Sequence, residues 1–316
     1  MKNILITLFF IVNLAINIQA QTIGTGNPGL SDNNPVLLNK PIRFSQYKNN
    51  TFLFVDFNNY AVREVNEKGE VKTLFGGSEK KGFKDGNLDV AMFDGIHGVA
   101  YDQKNDVIYI ASASSNVIRK VTKNKDGFYV KTIAGTPQEK GFEDGDANKA
   151  KFNSLHEVLY KENGDIFVLD IGNAKIRKIK DGIVSSIVGK DSLTKIKVDW
   201  KYPIDMAFDG NDIVICDAGN SNIYRFTPGK GIKKLELSQP LKMPHGITAD
   251  KNGNLYVADM GANAIYKIEN DTTVTKIEAT QENGFDKLKK PADVIIVNGV
   301  LWVADLYNHQ LKRQKL

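Results

Sequence analysis

The sequence predicts an all-β chain, a six-bladed β-propeller of four-stranded antiparallel blades, on three observations. A short apolar run closed by an acid or a small polar residue occurs six times, turn residues follow the runs at repeated offsets, and no stretch has the apolar period of an amphipathic helix. The runs occupy 51–56, 107–112, 165–170, 212–217, 254–259 and 300–305, and their closing positions lie 56, 58, 47, 42 and 46 residues apart.

Each run is rich in β-branched and aromatic residues and nearly continuously apolar, the pattern of a strand buried on both faces. It is the second strand of its unit, and a first strand lies ahead of it, as at 97–102, 156–160, 205–209 and 245–250. A polar turn follows, with Asn59, Asn173, Asn220 and Asn308 each three residues beyond the acid. Asparagine tolerates left-handed backbone, so these are expected to be the left-handed residues of tight hairpins, with the acid accepting from turn amides. The third strand carries an aliphatic residue and then a base at Val62-Arg63, Ile118-Arg119, Ile176-Arg177 and Leu311-Lys312, whereas blades 4 and 5 have Ile223-Tyr224 and Ile265-Tyr266. A fourth strand ends at Gly76, Gly135 and Gly189.

A single unit of this kind cannot bury both faces, so the blades must pack around an axis and the ring must close. The sixth copy stops at Leu316 after its third strand, and residues 22–26 read like 132–136. The N-terminal strand is therefore predicted to complete the last blade.

The run Asn-Gly-Asn-Leu-Tyr-Val-Ala-Asp at 252–259, the turn at Asn308-His309 with Leu311, and the linkers Gly-Phe-x-Asp-Gly at 82–86 and 141–145 resemble NHL repeats. The resemblance covers essentially the whole chain after its first twenty residues. It implies a propeller; the family includes peptide-amidating lyases, RNA-binding modules and extracellular recognition domains, so it fixes no activity.

Met1-Lys2-Asn3, an apolar stretch to Ile18 and a small residue at Ala20 have the three parts of a secretory signal peptide. The expected organisation is a signal peptide over 1–20 and one propeller over 21–316. The expected location is secreted or periplasmic, as a monomer with no membrane span after cleavage. Cys216, the only cysteine, excludes an internal disulfide and a cysteine-only metal site. The net charge of +5 comes from bases interspersed with acids, which argues against nucleic acid as the partner. A protein, peptide or glycan ligand is expected instead.

In this topology the starts of the first strands and the ends of the second strands share one mouth of the central channel, the default site. Three of the four histidines, His97, His156 and His245, occupy the same place in the repeat, matched by Ile42, Ile204 and Ala292 in the other blades. The next position gives a second ring of Arg43, Gly98, Glu157, Asp205, Gly246 and Asp293. Two readings stand side by side. The imidazoles with nearby carboxylates are candidate ligands for Zn²⁺, with an open position for water or substrate, or the carboxylates are candidate oxygen ligands for Ca²⁺. Alternatively the histidines line a wet channel, and Arg43 with Glu157, Asp205 and Asp293 forms a mutually satisfied polar ring. The resemblance adds that amidating lyases hold zinc through histidines from three blades. The functions these readings allow are a binding module at the channel mouth or a metal-dependent lyase or hydrolase. The recurring Asp56, Asp170, Asp217, Asp259 and Asp305 read as folding residues, and Asp85 and Asp144 as turn formers in the linkers.

Overall fold

The computed structural model describes residues 21–33, 36–189, 198–279, 285 and 287–316; the leader read at 1–20 lies outside the described residues. The chain forms six successive antiparallel sheets whose strands follow sequence order. Blade 1 is Pro41–Gln46, Phe52–Asp56, Ala61–Val65 and Val71–Gly76, and blade 2 is Ile96–Asp102, Val107–Ser112, Val117–Asn124 and Gly127–Ala134. Blade 3 is Leu155–Tyr160, Ile166–Asp170, Lys175–Lys180 and Ile183–Gly189, and blade 4 is Pro203–Asp209, Asp212–Asp217, Asn222–Thr227 and Gly231–Lys234. Blade 5 is Pro244–Ala249, Leu255–Asp259, Ala264–Glu269 and Thr273–Lys276, and blade 6 contributes Pro291–Val297, Val300–Asp305 and Gln310–Lys315. The first strands touch one another in a closed cycle, that of blade 6 meeting that of blade 1. Among the described residues no helix is long and apolar enough to cross a membrane.

The ring closes as the repeat predicts. Gln21–Ile23 pairs antiparallel with Gln310–Lys315, Thr22 facing Lys312 and Ile23 facing Leu311, and supplies the fourth strand of blade 6. The paired segment is shorter than 22–26, because Gly24 at φ +98 turns the chain away. Blades 2 and 3 each gain a two-residue edge, Gly86–Asn87 and Gly145–Asp146, donated by the preceding linker.

Apolar side chains gather in six clusters, each drawn mainly from two neighbouring blades. Across the closing seam Phe52 of blade 1 meets Trp302 of blade 6 with ring centroids 4.8 Å apart. At the seam of blades 3 and 4 the buried Trp200 indole donates to the Ala174 carbonyl at 2.7 Å, satisfying its one polar atom.

The recurring acids do structural work, mostly on the linker rather than on the turn. Asp56 accepts from the Asn39 amide (2.7 Å), Asp170 from Asn153 (2.8 Å), Asp259 from Lys242 (2.6 Å) and Asp305 from Lys289 (2.7 Å), so each acid ties down the approach to its own first strand. The turn asparagines are not the left-handed residues. Asn59, Asn173 and Asn308 sit in short 3-10 turns and donate their side-chain amides to the acid, and left-handed backbone falls one residue later at Tyr60, Ala174 and His309.

The linker acids do more than form turns. Asp85 pairs with the buried Arg119 (2.8 Å) and Asp144 with Arg177 (2.6 Å), while each accepts from a fourth-strand amide, Thr132 and Ser186 respectively. Asp32 does the same in blade 1, with Arg63 at 2.7 Å and Thr73 N–H at 2.8 Å. Gly29-Leu30-Ser31-Asp32 is thus a third copy of the Gly-Phe-x-Asp linker, one that sequence comparison missed because only Gly and Asp are retained.

Candidate functional site

Every first strand carries a β-bulge near its start. The unpaired residue is His97 in blade 2, His156 in blade 3, Ile204 in blade 4, His245 in blade 5 and Ala292 in blade 6. A bulge leaves one residue free of the ladder and re-aims its side chain. Here the three freed histidines border the channel mouth, while Ile204 and Ala292 pack into the apolar clusters between blades. In blade 1 the unpaired residue is Arg43, at φ +40, one position later than the repeat alignment with Ile42 implies.

The three histidines converge on one small cavity of about 160 Å³, bordered also by Lys40, Ile42, Arg43, Phe57 and Leu306. His97 and His156 stack with ring centroids 4.0 Å apart and planes 27° apart, and Phe57 meets His97 edge-on at 4.7 Å. The ring nitrogen Nδ1 of His245 donates to the Ala292 carbonyl at 2.8 Å, which leaves Nε2 as an acceptor in the neutral ring. Nδ1 of the buried His156 has no hydrogen-bond partner. Burial, then Arg43 and then His245 depress the pKa of His97 to about 3. Burial and Arg43 take His245 to about 3 as well. Burial, His97 and Arg43 hold His156 well below the ordinary imidazole range. All three are therefore neutral at pH 7.

The second ring is a charge cluster that seals the channel beneath this cavity. Arg43, 1% exposed, places Nε 3.0 Å from Glu157 and 3.6 Å from Asp205, and Nη2 donates to the Ile204 carbonyl at 2.6 Å. Each carboxylate also accepts from backbone: Asp205 from Ile247 N–H (2.8 Å), Asp293 from Phe44 N–H (2.7 Å) and Glu157 from Val158 N–H (3.0 Å). Three acids face one base. Burial and the Asp205 charge push Glu157 and Asp293 well above the ordinary carboxyl range against the opposing pull of Arg43, and burial raises Asp205. Burial works against the Arg43 charge, yet Asp205, Glu157 and Asp293 outweigh it and raise its pKa. The glycines of this ring are steric: a Cβ on Gly246 would lie 2.4 Å from the Asp293 Cα, and one on Gly98 2.8 Å from Val158 N.

The carboxylates and the histidines do not share a cavity. Glu157, Asp205 and Asp293 border a wider funnel of about 310 Å³ at the opposite mouth, walled by Tyr101, Tyr160 and Phe208. In this structure the histidine trio is not posed as a zinc centre: His97 and His156 stack ring on ring at 4.0 Å and the Arg43 cation borders the same cavity, while His245, its Nδ1 on a carbonyl, keeps Nε2 as a ligand atom. Calcium fits the acids no better, because Arg43 already takes the central cationic place. Among the described residues no group of three His, Cys, Asp or Glu side chains is arranged to hold a metal ion.

Two mouth residues missed in the sequence, Phe57 and Leu306, follow directly after the closing acids Asp56 and Asp305, so the repeat register carried the signal. Cys216 is buried in the second strand of blade 4 and touches neither cavity.

The NHL repeat family model matches residues 241–265. The chain is 23% identical over 332 residues to the chloroplastic protein Suppressor of Quenching 1 of Arabidopsis thaliana, across 89% of this chain and 31% of that protein. It is 39% identical over 70 residues to a probable peptidyl-α-hydroxyglycine α-amidating lyase of Caenorhabditis elegans, across 21% of this chain and 20% of that one. The chain thus spans less than a third of either curated relative. Among solved structures it is similar to a streptogramin B lyase, with a TM-score of 0.61 at 16% identity over 93% of this chain and 97% of that one. A gluconolactonase from Xanthomonas campestris gives a TM-score of 0.62 at 13% identity over 87% and 86% of the two chains. At such identities these likenesses show the fold alone. The chain is a six-bladed β-propeller that carries an NHL repeat at residues 241–265, in keeping with the NHL-repeat family its sequence resembles.

Proposed function

We propose that the chain is an exported binding module that takes a protein, peptide or glycan group at the histidine-lined mouth of its channel. The observation that carries this reading is the cavity of His97, His156 and His245 with Phe57 and Leu306. It offers neutral hydrogen-bonding rings and apolar walls over a floor sealed by Arg43. That is the composition of a recognition pocket, mostly apolar with a few placed polar atoms. No Ser, Thr or Cys is among the described residues that border it. The second reading, a metal-dependent lyase or hydrolase, draws on the relative named a probable amidating lyase.

With only four histidines in the chain, ring C–H proton resonances give a sparse readout for a fragment screen. Binders are expected to shift the lines of His97, His156 and His245 and to leave His309 in place. About one equivalent of zinc in the purified chain, lost in both His97→Ala and His245→Ala, would overturn the binding-module reading in favour of the enzyme.

A further inference from the structure

We infer that the histidine mouth docks an acidic peptide segment, one apolar or aromatic side chain of which fills the cavity. This rests on the reading of that mouth as the binding site. The approach to the first strand is held at an equivalent place in five of the six blades, because its backbone amide bonds the closing acid of the same blade. In blades 4, 5 and 6 the residue so held is Lys201, Lys242 and Lys289, and all three side chains are exposed. One position further on, Tyr202 is 44% exposed and Met243 39%, and Lys40 of blade 1 borders the cavity itself. None of these four lysines makes an ion pair among the described residues, and Lys40 Nζ lies over the Tyr307 ring at 5.5 Å. The other side of the ring has no such charge: its equivalents are Asp94, whose carboxylate takes the Ser115 hydroxyl, and Asn153.

A cationic arc with apolar members thus spans blades 4 to 6 and reaches blade 1, curved around a cavity of about 160 Å³. That volume suits a single side chain rather than a whole drug-sized ligand. An anionic bilayer matches the charge but has no protruding group to enter the cavity. An acidic peptide supplies both, and complementary charge steers its approach and fixes its orientation.

Fluorescence anisotropy on the full chain tests this with labelled decapeptides of one central Phe in Glu-rich, Ser/Gly-rich and Lys-rich contexts. The Glu-rich peptide is expected to bind about tenfold or more tighter than the neutral one at low salt, and added salt should erase the gap. The variant K201E/K242E/K289E should lose that preference while its thermal melt is retained, since the lysines are held by backbone rather than side-chain bonds. Equal binding of all three peptides, no binding of any, unchanged affinity in the triple variant, or binding confined to phosphatidylserine vesicles would each overturn the inference. If Leu306→Trp abolishes binding of every peptide while the lysine variant changes nothing, the mouth remains the binding site and only the acidic partner falls.

Discussion

Arg43 and Glu157 meet at 3.0 Å inside the channel, each side chain almost wholly removed from water. They come from blades 1 and 3, so the pair spans the ring rather than fastening neighbouring blades, and Asp205 of blade 4 joins them at 3.6 Å. A lone base thus neutralises part of a three-acid cluster.

Arg43→Met should therefore be costly, because it leaves Glu157, Asp205 and Asp293 without a cation. The expected loss is about 3–5 kcal/mol at pH 7. Urea unfolding at pH 7 and pH 5 checks it, and the deficit should shrink at pH 5, where the acids take up protons. A loss below about 1 kcal/mol at both pH values would mean that the cluster is hydrated.

The histidines set an opposite dependence. His97 and His245 are held at about 3, against about 6.5 in an unfolded chain. Between those limits the unfolded chain binds protons that the folded chain does not, so stability conferred by these rings is complete above pH 6.5 and is lost as pH falls. Each neutral ring contributes a slope of about 1.4 kcal/mol per pH unit. Urea midpoints between pH 7 and pH 4.5 should fall more steeply for the native chain than for His245→Asn, and parallel curves would contradict the assignment.

Ring closure depends on a very short strand. Ile23 is 4% exposed where it faces Leu311. Ile23→Ala should cost about 2–4 kcal/mol of global stability, read by denaturant unfolding. A negligible effect would show that the last blade stands without its N-terminal strand.

Gly246→Ala places a methyl 2.4 Å from the Asp293 Cα and 2.6 Å from the Ala292 carbonyl oxygen. Both neighbours are backbone and cannot swing aside, so a loss of about 2–3 kcal/mol is expected in the same assay. Unchanged stability would show that the first strands of blades 5 and 6 have room to separate.

The blades and their closure were legible because the repeat writes each second strand as an apolar run closed by an acid, as at Asp170 and Asp259, or in blade 2 by Ser112. The grouping of His97, His156 and His245 was legible for the same reason. What the sequence concealed is local backbone geometry. The bulge that aims Arg43 into the channel falls one residue later than in the other blades, and no residue type announces it. Nor does the repeat register reveal the bulge that re-aims the residue before Glu157, Asp205 and Asp293, so that these acids border the funnel while the histidines border the other cavity. Asp32 escaped notice because its linker keeps only the glycine and the acid of the motif, yet its contacts with Arg63 and Thr73 match those of Asp144 with Arg177 and Ser186.

A proton NMR titration of the histidine ring resonances from pH 8 to pH 4 tests the desolvated, cation-flanked mouth most directly. The lines of His97, His156 and His245 should stay at their neutral positions until the protein begins to unfold. Ordinary titration of any of the three near pH 6.5 in the folded chain would contradict the account, because it would place that ring in water and out of reach of Arg43.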